Sequence, residues 1–163
     1  MKDLNKTLPG APSFKYKEFI RSDTAIRKGI NNIPGPNEWA CIESLAKNVL
    51  QPLRNAIGPL KINSGYRSPE LNVAIGGSAT SNHCRGEASD IEPAKNQVSL
   101  LTVIEWLDKN VEFRTAILEF PPDGWVHVDY REGGNTKTIK LKDRKHNYTL
   151  VSIEELKKLY PNV

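Results

Sequence analysis

Cysteine is scarce in this chain: Cys41 and Cys84 are the only two among 163 residues. That is too few for a disulfide framework, and Cys41 sits in a helical pattern where a buried free thiol is the default. No apolar stretch is long enough to span a bilayer, so membrane insertion is not expected. Met1-Lys2-Asp3-Leu4-Asn5-Lys6 leads into no apolar run, which predicts synthesis in the cytoplasm without a signal peptide. Action outside the cell would then require release by something else. Aromatic residues make up 7% of the chain, with neither an RNA-reading aromatic motif nor zinc-finger spacing, so nucleic acid is not an expected partner. Charge of one sign is not concentrated either. The net charge is +4, spread along the sequence as a solvated surface would be, with weak attraction to an anionic polymer as the sharper reading. Internal repeats and a linker are absent, and the length suits one domain with a real core.

Histidine is also rare, with three in the chain, and two of them fall in short, apolar-flanked segments. Ser81-Asn82-His83-Cys84-Arg85-Gly86-Glu87-Ala88-Ser89-Asp90 has the form S-x-H-x-x-G-x-A-x-D. Trp125-Val126-His127-Val128-Asp129 follows further along. Two imidazoles and a carboxylate make the three-ligand set that zinc uses when a fourth position stays open for chemistry. Gly86 and Ala88 would let the backbone turn tightly beside the ion. Cys84 is not favoured as a ligand, because neighbouring residues of one loop rarely aim at the same ion. Strand alternation over 125–130 puts Trp125, His127 and Asp129 on one face and Val126, Val128 and Tyr130 on the core face. A partly exposed strand histidine is the plainer reading of His127 alone; with His83 and Asp90 beside it, zinc moves ahead.

Coarse structure follows from punctuation and period. Residues 1–13, with Pro9, Gly10 and Pro12, read as a flexible arm, leaving 14–163 as a single domain. A short helix starts over Phe14–Ile20, with Ser22 and Asp23 as turn or capping residues behind it. Asn31–Pro36 is a break, and Asn37 is expected to cap the strongest helix, carrying Ile42, Leu45, Ala46, Val49 and Leu53. Pro52 should disturb that helix near Gln51. Leu60–Ser64 reads as a strand, Asp90-Ile91-Glu92 as another with Asp90 at its start, and Asn96 or Ser99 opens the next helix. Phe113–Phe120 and Trp125–Tyr130 flank a Pro121-Pro122-Asp123-Gly124 hairpin signal, and Lys137–Lys142 with Tyr148–Val151 suggests a second hairpin. Ser152-Ile153-Glu154-Glu155 is a capping box. Helices first, strands later and no βαβ rhythm predict an α+β fold with a mainly antiparallel sheet.

These motifs, preceded by Ser64-Gly65-Tyr66-Arg67-Ser68, closely resemble the zinc D-alanyl-D-alanine carboxypeptidase family. That family includes phage L-alanyl-D-glutamate endolysins and shares its fold with the signalling domain of hedgehog. The likeness runs over about 14–130 and takes in Phe14, Glu18, Phe19, Ser22, Asp23, Leu50-Gln51-Pro52-Leu53-Arg54 and Glu70-Leu71-Asn72. It implies a hedgehog-like fold with one Zn2+ held by His83, Asp90 and His127. It also implies that Arg67 holds a substrate carbonyl or carboxylate and that Ser81 lines the substrate groove, although a loop hydroxyl bonding backbone explains Ser81 as well. The implied substrate is the stem peptide of peptidoglycan, cut by a D,D-carboxypeptidase or an L-Ala-D-Glu endopeptidase. A monomeric phage or prophage endolysin acting on the cell wall is the expected setting. A non-catalytic module that binds a wall peptide or a virion partner through the same zinc site is the alternative.

The resemblance, through Glu119-Phe120 ahead of Trp125-Val126-His127, implies Glu119 as the general base, with Asp123 and Asp129 as fallbacks; a solvent-facing strand-end glutamate is its plainer reading. Asp129 could instead orient a histidine. A four-residue loop after Phe120 would pair Glu119 with Val126 and turn it away from His127. Glu119 shares the face of His127 only if paired residue numbers sum to an even value, for instance Glu119 opposite His127, for which a bulge near Pro121-Pro122 is predicted.

Overall fold

A computed structural model describes residues 2–94, 98–161 and 163. Residues 7–13 are not the expected flexible arm. They build an antiparallel pair, β1 (Thr7–Leu8) and β2 (Ala11–Lys15), because Leu8, Ala11 and Phe14 are all buried. Their burial in the main core holds the segment down despite its proline and glycine content. Tyr16–Phe19 is a single 3-10 turn rather than a longer helix. Ser22 caps the next element, α1 (Asp23–Lys28), its hydroxyl accepting from Ala25 N at 3.2 Å.

The strongest apolar period becomes α2 (Pro36–Leu45), a π-helical turn over Ala46–Leu50, and α3 (Gln51–Ile57). Gly35, not Asn37, occupies the cap, and Pro36 takes the first turn, where its missing N–H is no loss. The disturbance expected from Pro52 is this π turn, in which Gln51 N reaches back to Ala46 O. Ile42, Leu45, Val49, Leu50 and Leu53 all remain fully inside.

The rest of the chain builds β3 (Leu60–Ser64), α4 (Pro69–Ala74), a 3-10 turn over Asn82–Arg85, β4 (Ala88–Pro93) and α5 (Leu100–Asn110). It continues through β5 (Thr115–Glu119), β6 (Trp125–Asp129), β7 (Thr138–Lys142), β8 (Tyr148–Leu150) and α6 (Ile153–Leu159). Ser99 caps α5, accepting from Thr102 N at 3.0 Å, whereas Asn96 lies outside the described residues. The Ser152–Glu155 capping box forms as expected.

The six strands β3 to β8 make one sheet in the order β3-β4-β6-β5-β7-β8, antiparallel except where β7 runs parallel to β5. The fold is therefore α+β with a mainly antiparallel sheet, as the sequence predicts. Ile91, Ala116, Leu118, Val126, Val128, Ile139 and Leu141 join the helices in one apolar core. Pleating sends their neighbours to the opposite face. There the register aligns Asp90 (β4), His127 (β6), Ile117 (β5) and Lys140 (β7) in one cross-strand row. The adjacent row holds Trp125, Glu119, Lys142 and Tyr148. This second face forms the floor of a cleft of about 890 Å³.

Candidate metal centre

Each expected ligand reaches the cleft from a different local structure. His83 is carried by the 3-10 turn Asn82–Arg85, which Gly86 closes at φ 71°, a left-handed conformation that favours glycine. A side chain there would also strike Glu38 O, 2.4 Å from where a Cβ would lie. Asp90 stands inside β4 rather than at its start, directly opposite His127 on β6. Burial of Val126 and Val128 beneath the sheet turns Trp125, His127 and Asp129 into the cleft, the alternation read from the sequence.

The three ligand atoms converge. His83 Nε2 lies 3.2 Å from both His127 Nδ1 and Asp90 Oδ1, and His127 Nδ1 lies 2.9 Å from Asp90 Oδ1. These three residues could hold a metal ion, with all three atoms within 4.8 Å of one another. The outer nitrogen of each imidazole is engaged. His83 Nδ1 donates to Gly65 O at 2.6 Å, and His127 Nε2 faces Asp129 Oδ2 at 3.4 Å. With the outer nitrogens engaged in this way, the inner ones would offer their lone pairs to a bound ion, as metal-ligating histidines do. Gly65 is required where it stands, since a Cβ would sit 2.5 Å from Phe19 O. Asn82 Nδ2 donates to Asp129 Oδ2 at 2.9 Å and fixes that carboxylate in turn.

Burial and mutual charge act differently on the three groups. Burial drives the His83 imidazole down from its ordinary value. Burial opposes charge at His127 too, but Asp129 and Asp90 outweigh it and push that imidazole up to about 9. Burial would raise Asp90, yet the two imidazoles hold its carboxyl well below the usual carboxylate range. Two nitrogens and a carboxylate oxygen form a donor set that suits zinc. Cys84 is not part of the group; it and Cys41 are free and half-buried.

Around this centre the other expected residues separate. Arg67 comes from the loop after β3, held by Arg67 N donating to His83 O and by Asn32, whose side chain bonds Ile20 O, Tyr66 O and Ser68 N. Its Nη2 is 3.8 Å from Asp90 Oδ2, and its buried Nε has no partner. Ser81 lines the cleft wall and its hydroxyl does not cap the 3-10 turn. Asp123 points to solvent on Arg144 and is not among the cleft residues. Asp129 serves His127 as described.

Glu119 is buried in the cleft and pairs across the strands with Trp125. The paired numbers sum to an even value, so Glu119 shares the face of His127, one diagonal step away. The predicted bulge does not form, and Trp125 rather than His127 is the direct partner. The β5–β6 register is continuous, and a five-residue connection, 120–124, supplies the parity, with Phe120 leaving the strand at φ 55°. Glu119 Oε2 accepts from Lys142 Nζ at 3.0 Å, and the Lys142 ammonium lies 4.8 Å from the Phe120 ring and 5.0 Å from the Tyr148 ring. Sequence reasoning missed Lys142, Asn82 and Asn32. Alternation in Thr138–Lys142 puts Lys140 and Lys142 on one face, but a parallel partner so distant in sequence leaves no local signal.

Two imidazoles and one carboxylate at the floor of an open cleft make a group that could hold a metal ion and leave a coordination position free, unlike a closed four-ligand structural site. A family model described as Peptidase M15 matches residues 12–129. The chain belongs to that family, the zinc D-alanyl-D-alanine carboxypeptidases, and with it to the peptidases and hydrolases. No curated protein matches the chain. Among the described residues no helix is long and apolar enough to cross a membrane.

Proposed function

We propose that this chain is a zinc metallopeptidase that hydrolyses peptide bonds in the stem peptides of bacterial peptidoglycan, as a D,D-carboxypeptidase or an L-Ala-D-Glu endopeptidase. A monomeric phage or prophage endolysin is the setting this reading favours. The observation that carries it is a cleft-facing carboxylate, Glu119, on the same sheet face as the converging His83, Asp90 and His127. Those three residues would hold zinc, which supplies Lewis acidity and an acidified water when bound. Glu119 would act as the base. Lys142 engages its Oε2, leaving Oε1 to take the proton of the attacking water and return it to the departing amine. The unpartnered Nε of Arg67 would donate to the developing oxyanion or to a neighbouring substrate carboxylate. Ser81 would border the bound peptide.

The test is release of soluble peptide from purified peptidoglycan by the wild type, His83→Ala and Glu119→Ala. His83→Ala is expected to lose zinc and activity together. Glu119→Ala should keep its zinc and lose about two to four orders of magnitude in rate. Full activity in His83→Ala would overturn the metal mechanism. Full activity in Glu119→Ala would remove the base, and binding without any cleavage by the wild type would favour a non-catalytic wall-peptide module.

A further inference from the structure

The family match ends at residue 129, yet β7 and β8 form one wall of the cleft. The two cleft-facing lysines of β7 differ in their commitments. Lys142 is bound to Glu119, whereas Lys140 is half-buried and has no carboxylate partner among the described residues. Lys140 stands in the row Asp90–His127–Ile117–Lys140, two strands from His127 on the same face. Two strand spacings are about 10 Å, the length of roughly three residues of extended peptide. Arg114, whose N–H group precedes β5 and whose carbonyl accepts from Thr138 N, also lines the cleft, and its Nη1 is buried without a partner. The three cleft carboxylates are already engaged: Asp90 by the imidazoles, Glu119 by Lys142, and Asp129 by His127 and Asn82. Lys140 therefore meets no carboxylate of the cleft itself, and a bound divalent metal would add to the same sign.

We infer that Lys140 forms a subsite for a free carboxylate on the substrate, within about three residues of the scissile bond. This deepens the peptidase reading and rests on it. Lysine presents a mobile point charge, so it selects for the charge of a carboxylate more than for its shape. Amidation of the substrate carboxyl would remove that charge at nearly constant size. The subsite therefore makes the enzyme choose between unamidated and amidated stem peptides.

The probes are two synthetic stem pentapeptides, identical except that the carboxyls outside the chain terminus are free in one and amidated in the other. Binding to the zinc-loaded protein is read from the tryptophan fluorescence phase that precedes turnover, and cleavage is followed separately. The wild type should bind the free-carboxylate peptide about tenfold more tightly, the size of one charge-assisted hydrogen bond. Lys140→Met should lose that preference by weakening only the free-carboxylate peptide, while Lys140→Arg keeps it. Equal binding of the two peptides by the wild type would overturn the subsite, as would a preference that survives in Lys140→Met. Failure of the peptidase reading looks different: selective, Lys140-dependent binding with no zinc-dependent cleavage leaves the subsite standing and removes the enzyme.

Discussion

Asp129 lies outside the candidate ligand group, yet it engages one of its members. Its Oδ2 receives both the outer nitrogen of His127 and the amide of Asn82, and it is nearly fully buried. A negative charge at that position makes the inner nitrogen of His127 a better donor and fixes the ring plane. Replacing Asp129 by Asn keeps the shape and removes the charge. Zinc affinity is expected to fall about 10- to 100-fold, measured by competition with a chromophoric chelator, while the fold is kept. An unchanged affinity would show that ring orientation alone suffices. The candidate ligands that the fold brings together were legible because metal chemistry restricts residue type so severely: two of three histidines lay in short motifs with a carboxylate at fixed spacing. The groups that support them were not legible. Gly65 O is a backbone atom, and Asn82 and Lys142 act through partners 47 and 23 residues away in sequence.

Among the elements, β4 and β6 matter most, since they carry Asp90, His127 and Asp129. A carboxylate clamps their ends. Glu87, just before β4, accepts from Arg85 Nε at 3.0 Å and from Arg131 Nε and Nη2 at 3.0 and 2.7 Å, while its carbonyl accepts from Tyr130 N. Burial would raise the Glu87 carboxyl, but Arg131 and Arg85 hold it below its ordinary value. A depressed carboxyl contributes stability that is present above the unfolded-state value, about 4.3, and is lost as pH falls through the folded-state value. Glu87→Gln should therefore melt lower than the wild type at pH 7, and the gap should close in acid below about pH 4. Thermal melts across that range check it, and a gap independent of pH would assign the clamp to hydrogen bonding alone. Both arginines are substantially exposed, which keeps the expected effect small. The β5–β6 pair shows where local reading stops. Both strands were evident from alternation, but whether Glu119 faced the site depended on the parity of the loop, which Phe120 sets by leaving the strand one residue early.

At the scale of the whole molecule, the segment after residue 129 raises a question that the family match leaves open. If it were an appendage, a chain ending at 137 would fold and keep its site. The packing favours a single unit whose core takes in β1 at one end of the chain and α6 at the other. Removing 138–163 would strip Ile139, Leu141 and Leu156 from the core and expose β5 as a sheet edge beside the site. Loss of one buried aliphatic side chain costs about 2–5 kcal/mol, against a total stability of about 5–15 kcal/mol for a domain. Three such losses, with the β5–β7 ladder gone as well, exceed the lower part of that range. An exposed apolar edge also invites pairing between chains. The truncated chain is therefore expected to show no cooperative melt and to aggregate, whereas Leu156→Ala in the full chain should melt cooperatively with about 2–5 kcal/mol less stability. Circular dichroism melts and sedimentation distinguish the outcomes. A monomeric truncated chain with a sharp transition and zinc bound would make the segment an addition to a complete domain. The loss of folding would instead make the wall that carries Lys140 and Lys142 as much a part of the fold as the strands that carry the ligands.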